Sequence, residues 1–122
     1  VNIQAADGAV WRPQQPADFV LLDAPCTATG TIRRHPDVPH LKTETDMARL
    51  VETQARLLDN AAAMLAPGGM LVYCTCSLQK AEGEAQIAAL LARTPFLSRH
   101  PVAAIEVGGL EALVTPDGDI RV

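Results

Sequence analysis

FVLLDAPCTATG, residues 19–30, is the stretch on which the fold turns. Phe19-Val20-Leu21-Leu22 is a continuous apolar run, the mark of a strand buried on both faces, and it ends at Asp23. Pro25 restricts Ala24 to extended conformations and fixes its own φ, so the backbone from Asp23 to Cys26 is held stiff. Taken alone, Asp23 is explained as a turn cap, because aspartate readily bonds nearby backbone amides. On a stiff turn beside a thiol it can also hold a planar ligand. Strands of this kind belong to parallel sheets flanked by helices, where ligands sit at the carboxyl ends of the strands.

The pattern recurs downstream. From about Thr45, the residues Met47, Leu50, Val51, Leu57, Leu58, Ala61 and Leu65 keep one apolar stripe at helical spacing, and Pro67-Gly68-Gly69 stops it. Met70 to Tyr73 reads as a second strand buried on both faces, running into Cys74-Thr75-Cys76-Ser77. A further helix is predicted over about Lys80 to Arg93, with Glu82 and Glu84 near its positive end and Ile87, Leu90 and Leu91 facing inward. Upstream, Val1 to Ala5 alternates with period two and runs into Asp7-Gly8, as a strand does before a turn. A weak strand is predicted near Phe96 to Val102, and a turn at Pro116-Asp117-Gly118 between Leu113-Val114 and Ile120 to Val122. Residues 24–40, with Pro25, Gly30, Pro36 and Pro39, form a long shaped loop. The expected fold is α/β, a mainly parallel sheet with flanking helices. Asp7, the Asp23–Cys26 turn and the Cys74–Ser77 turn should converge at its strand ends.

The chain has 122 residues, 48% of them hydrophobic, which suits one compact unit with a single core. It opens on Val1 and on a strand-like pattern, and is therefore read as a piece of a longer protein. No stretch approaches the ~20 apolar residues of a membrane span, and no signal-peptide pattern leads it, so a cytoplasmic location is expected. Composition leaves the oligomeric state open. Three cysteines without a secretory signal point to reduced thiols rather than a disulfide scaffold. With 10 basic against 14 acidic residues the net charge is -4, which does not by itself mark a nucleic-acid binder. The local exception is Arg33-Arg34-His35, followed by His40 and Lys42. Most charge runs are solvated loops, but the position of Arg33 and Arg34 after Cys26 gives them a route to phosphate. The histidines are assigned no role.

Cys26 and Cys76 can be explained as small buried residues. Each, however, lies past a predicted strand near backbone amides, where a thiolate is favoured relative to a free pKa of ~8.5. Cys74 is read as a core thiol. A zinc site made from the three cysteines and a histidine is disfavoured, since Cys-x-Cys with one distant cysteine lacks the usual paired spacing. No metal is expected. No Gly-x-Gly-like turn from strand to helix occurs, so half of a nucleotide-type site is missing.

LLDAPCTATGTIRRHPDV, followed about fifty residues later by APGGMLVYCTCS, resembles motifs IV and VI of the RNA (cytosine-5)-methyltransferases of the Sun/RsmB family. The resemblance runs over about residues 1–93, and TGTIRRHPD is closer to the branch that modifies small-subunit ribosomal RNA. It implies a Rossmann-like methyltransferase fold, S-adenosylmethionine as cofactor and RNA, small-subunit ribosomal RNA in particular, as partner. By position, Cys76 would be the nucleophile and Cys26 would assist product release. Asp23 would hold the cytosine at N3 and its amino group. Asp7 resembles the acid that contacts the adenine of the cofactor, with Asp23 and Pro25 on the same cofactor side. Arg33 and Arg34 would meet RNA. Such a chain would be the C-terminal portion of a catalytic domain, from the third strand onward. The glycine-rich cofactor motif would lie before Val1 and the last strand after Val122, and the isolated chain is expected neither to methylate RNA nor to bind cofactor appreciably.

Two other readings stay open. A different cysteine enzyme, such as a thiol hydrolase, needs a histidine base beside Cys26 or Cys76. A non-catalytic RNA-binding module is favoured if the two thiols are buried and far apart. The methyltransferase reading requires both sulfurs to face one crevice with Asp23 between or beside them.

Overall fold

A computed structural model describes residues 1–122, with the side chain of Pro39 excepted. Strand β1 spans Ala17–Asp23 and strand β2 spans Leu65–Cys74, and the two pair in parallel as a two-stranded sheet. Helix α1 is the short Val38–Leu41, α2 is the long Glu44–Met64 between the strands, and α3 is Glu84–Arg93. This is the α/β arrangement expected, a partial Rossmann-like unit in which a helix crosses between parallel neighbours.

Helix α2 begins at a capping box. Thr43 Oγ1 accepts the Asp46 N–H at 3.2 Å, and Asp46 Oδ2 accepts the Thr43 N–H at 3.0 Å, satisfying two end donors. It ends at Met64, since Pro67 biases Ala66 toward extended backbone and Leu65 is already extended. Leu58 is fully buried, and Ala61, Ala62, Gln54 and Asn60 are buried with it. The helix packs against both strands. The half-buried side chains of Val20, Leu22, Leu71 and Tyr73 alternate with exposed ones along the strands.

The strands differ from expectation in their cover. Neither is buried on both faces: Phe19 is 56% and Leu21 61% exposed, and Met70 and Val72 stand opposite them in register. The apolar runs predicted strands correctly, but among the described residues α2 covers only one face. Strand β2 also starts earlier than Met70. The register steps from Ala17↔Leu65 to Phe19↔Met70, so four residues of β2 loop out against one of β1. Gly68 turns there with φ +80°, and a Cβ on Gly69 would lie 2.9 Å from the Ala17 carbonyl oxygen.

Other expectations are corrected. Val1 to Ala5 forms no strand: these residues are exposed and have no ladder partner among the described residues. The helix predicted from Lys80 starts at Glu84, because Lys80–Glu82 forms a 3-10 turn and Gly83 breaks the geometry (φ -123°, ψ -98°). Phe96 to Val102 pairs with no strand and stays irregular. The turn at 116–118 is present, with Gly118 N–H bonded to the Thr115 carbonyl at 2.9 Å, and its flanks meet in a single antiparallel bridge, Val114↔Ile120. Where one compact unit was expected, contacts group the chain into Val1–Leu90 and Leu91–Val122. The second unit holds 3-10 turns at Ala104–Val107 and Glu111–Leu113 and an Arg99–Asp119 ion pair. No helix is long and apolar enough to cross a membrane among the described residues.

Candidate active site

Parallel pairing brings the two motifs together. Asp23, the last residue of β1, is in register with Cys74, the last of β2, and the Ala24 N–H extends the ladder to the Cys74 carbonyl at 3.0 Å. The chains therefore leave the sheet side by side, and the sulfurs of Cys26 and Cys76 lie 3.3 Å apart. Cys26 is half-buried, Cys76 and Asp23 are exposed, and all three cysteines are free thiols. Cys74 is not the core thiol expected: it is exposed, and its Sγ donates to Asp23 Oδ1 at 3.8 Å and to the Leu22 carbonyl at 3.6 Å. Its strand position decides this, since alternation puts Cys74 on the uncovered face with Asp23.

The loop after Cys26 is fitted to Cys76. Ala28 adopts the left-handed region (φ 57°) and redirects the chain, after which the Gly30 N–H donates to the Cys76 carbonyl at 2.8 Å. A Cβ on Gly30 would sit 2.7 Å from that oxygen, so the contact admits only glycine.

The thiolate expected at Cys76 is not favoured. The hydrogen bond with Cys26 pushes its pKa up first, followed by burial and the Cys26 and Asp23 charges, against a smaller lowering by a backbone N–H. Partial desolvation and then Asp23 push Cys74 up as well. Burial acts on both thiols, and the Asp23 charge adds to it by disfavouring a second anion nearby.

Sequence reasoning did not identify the residue beneath this pair. Glu82 is fully buried, and its carboxylate accepts four bonds: the Thr27 N–H (3.0 Å) and Gln54 Nε2 (3.0 Å) on Oε1, and the hydroxyls of Thr27 (2.5 Å) and Ser77 (2.5 Å) on Oε2. Gln54, also fully buried, donates to the Pro25 carbonyl at 2.8 Å and accepts from Gln86 Nε2 at 3.2 Å. The Glu82 carbonyl accepts the Tyr73 hydroxyl at 2.6 Å. Burial raises the Glu82 pKa, but the bonds from Ser77, Thr27 and Gln54 outweigh it and hold the group below its ordinary value. A usable signal was present in Gln54, which lies on the apolar stripe of α2 between Val51 and Leu58.

Asp7 behaves differently from the other candidates. It ends no strand, so two of the three expected strand ends meet. Its Oδ1 accepts the Ala9 N–H at 2.9 Å, and Asn60 of α2 fastens that turn by donating to the carbonyls of Gly8 and Trp11, both at 2.8 Å. Pro25 is exposed beside the thiol turn. Arg33 and Arg34 are exposed and, with Gly30 and Thr31, line a cleft of about 500 Å³. Among the described residues no imidazole bonds either sulfur, and no group of three or more His, Cys, Asp or Glu is arranged to hold a metal.

Two thiols in contact beside a carboxylate, at the carboxyl ends of adjacent parallel strands, define a cysteine-bearing site on a Rossmann-like scaffold. A family model described as 16S rRNA methyltransferase RsmB/F matches residues 2–116, and the chain belongs to that family. It is 50% identical over 97 residues to ribosomal RNA small subunit methyltransferase B of Salmonella arizonae, covering 77% of this chain and 23% of that protein. It is 50% identical over 100 residues to the protein of the same name from Xanthomonas campestris pv. campestris, covering 82% and 23%. The crystal structure of PH0851 superposes with a TM-score of 0.70 at 40% identity, covering 72% of this chain and 20% of that one. The chain thus spans about a quarter of the length of the curated relatives it matches.

Proposed function

We propose that this chain is the base-holding and nucleophile-bearing part of a catalytic domain that methylates C5 of cytosine in 16S ribosomal RNA, with S-adenosylmethionine as methyl donor. The observation that carries the reading is the 3.3 Å approach of Cys26 and Cys76, from motifs fifty residues apart, beside Asp23. That proximity supports the methyltransferase reading, since a non-catalytic module would have no need of two accessible thiols in contact. The family membership and the names of the relatives support the choice of substrate.

Cytosine C5 is too weak a nucleophile to attack a sulfonium methyl. The Cys76 thiolate therefore adds to C6, which moves electron density to C5, while Asp23 bonds N3 and donates a proton to it as negative charge develops. The bound cofactor supplies the methyl group taken by C5. Cys26 as thiolate then removes the C5 proton, the electron pair re-forms the C5–C6 double bond, the C6–S bond breaks to return Cys76 as thiolate, and N3 returns its proton to Asp23. Because a thiolate approaches C6 only from above the ring, the base must be unstacked.

The residues present suit the cofactor in chemistry. Asp7 is exposed with one carboxylate oxygen engaged by its own turn, so it can accept an amino group of adenine, and Pro25 offers apolar surface. Arg33 and Arg34, on the rim of their cleft, would take RNA phosphates.

The test is methyl transfer to 16S ribosomal RNA by the full-length protein, with the nuclease digest analysed by mass spectrometry. 5-Methylcytidine is expected, falling by about 10²-fold or more in Asp23→Asn and to background in Cys76→Ala. The isolated 122-residue chain should give none. Methylation at another base or atom would overturn the assignment.

A further inference from the structure

The mechanism uses Cys26, Cys76 and Asp23 and leaves Glu82 without a task. Glu82 is nonetheless the most constrained ionisable group here: fully buried, with no cation paired to it among the described residues. Burying a carboxylate without a counter-charge is costly, and is tolerated when hydrogen bonds replace its water. Four donors reach its two oxygens, and all four lone-pair positions of an ionised carboxylate are thereby taken. A protonated Glu82 would be a donor itself and would displace one of them. The group is therefore held as the anion, and it has no oxygen left to touch a substrate.

What it joins is informative. Thr27 directly follows Cys26, Ser77 directly follows Cys76, and Gln54 also holds the carbonyl of Pro25, which directly precedes Cys26. The hydroxyls of Thr27 and Ser77 stand 3.1 Å apart, yet each gives its only proton to Glu82 Oε2, so the carboxylate and not a mutual bond keeps them together. Ser77 Oγ in turn accepts the Gln79 N–H at 3.0 Å.

We propose that Glu82 is a positioning residue, whose buried carboxylate fastens the segment bearing Cys26 to the segment bearing Cys76 and so sets the separation of the two thiols. Its value for catalysis rests on the proposed cytosine chemistry, in which attack by one thiol and proton removal by the other must occur on a single base. The thiol separation itself can be read without any methyl transfer.

The experiment measures the equilibrium of the Cys26–Cys76 disulfide with reduced and oxidised glutathione, in the full-length protein carrying Cys74→Ser. The resulting constant is the effective concentration of one thiol at the other. Glu82→Ala is expected to lower it at least tenfold. Glu82→Gln should lower it less, because the two hydroxyls can reverse and accept from the amide. Leu58→Ala, which empties the core of the same unit without touching the carboxylate, should leave it within about twofold at temperatures where each variant is folded. Methyl transfer by Glu82→Ala should lose kcat with KM for the RNA little changed. An unchanged glutathione equilibrium in Glu82→Ala, or an equal loss in Leu58→Ala, overturns the proposal. If Glu82→Ala itself fails to fold, Thr27→Val and Ser77→Ala, each removing one tie, must each lower the constant severalfold, or the proposal fails. A wild-type protein that methylates no RNA would overturn the proposed function, and the glutathione constants would still decide the positioning role.

Discussion

Cys76 is harder to ionise than an ordinary thiol because its hydrogen-bond partner is another thiol and because it is partly desolvated, with a smaller contribution from the Asp23 carboxylate. A raised pKa means less thiolate at neutral pH, so alkylation of Cys76 by iodoacetamide should be slower than that of a free thiol. The rate should climb with pH to a midpoint above the ordinary thiol range of ~8.5. Cys26→Ala removes the largest cause of the rise, so the midpoint should fall and the rate at neutral pH increase severalfold. An unchanged or higher midpoint would contradict the account. The meeting of Asp23, Cys26 and Cys76 at neighbouring strand ends was legible in the sequence because a short motif carries each of them. Glu82 was not, since a glutamate ahead of a helix is usually a solvated charge at its positive end. Its burial comes from the 3-10 turn that precedes the helix, which residue spacing does not announce.

Helix α2 links the two strands and holds both the Asp7 turn, through Asn60, and the Asp23–Cys26 turn, through Gln54. Its apolar stripe was readable from spacing, and the capping box sharpens its start to Thr43. The two ends of its energetics should separate. Thr43→Ala removes the cap and is expected to cost about 1 kcal/mol, whereas Leu58→Ala opens a cavity at a fully buried site and should cost about 2–5 kcal/mol. Urea unfolding followed by circular dichroism measures both, and equal or reversed losses would mean that α2 is not packed as described. The strands were legible as strands but not in their cover. A continuous apolar run signals apolar surroundings, and here Phe19, Leu21, Met70 and Val72 make an exposed face instead.

Over the first unit, Val1–Leu90, stability should depend on acid through depressed carboxylates. Glu82 lies below its ordinary 4.5 and Asp46 below its ordinary 3.8, the latter through its bonds to Thr43. The folded state then binds fewer protons than the unfolded one, so the contribution is fully present above the unfolded values and lost as pH falls through the folded ones. Urea midpoints should hold down to about pH 5 and decline below it. The decline should be shallower in Glu82→Gln; the same slope in both proteins would contradict the depressed value. Asp46 is half-buried and its bonds to Thr43 are exposed, so salt should weaken its share. The parallel α/β order of this unit was legible from alternating patterns. The division at Leu90 was not, because composition does not change there.

In the proposed mechanism Cys76 attacks and Cys26 releases the product. The full-length Cys26→Ala protein, incubated with S-adenosylmethionine and 16S ribosomal RNA, is denatured and digested with nuclease and protease, and the nucleotide-bearing peptide is located by mass spectrometry. A methylated cytidine adduct should accumulate on the peptide containing Cys76, with no adduct in Cys76→Ala. An adduct that forms in Cys76→Ala and fails to form in Cys26→Ala would contradict the mechanism.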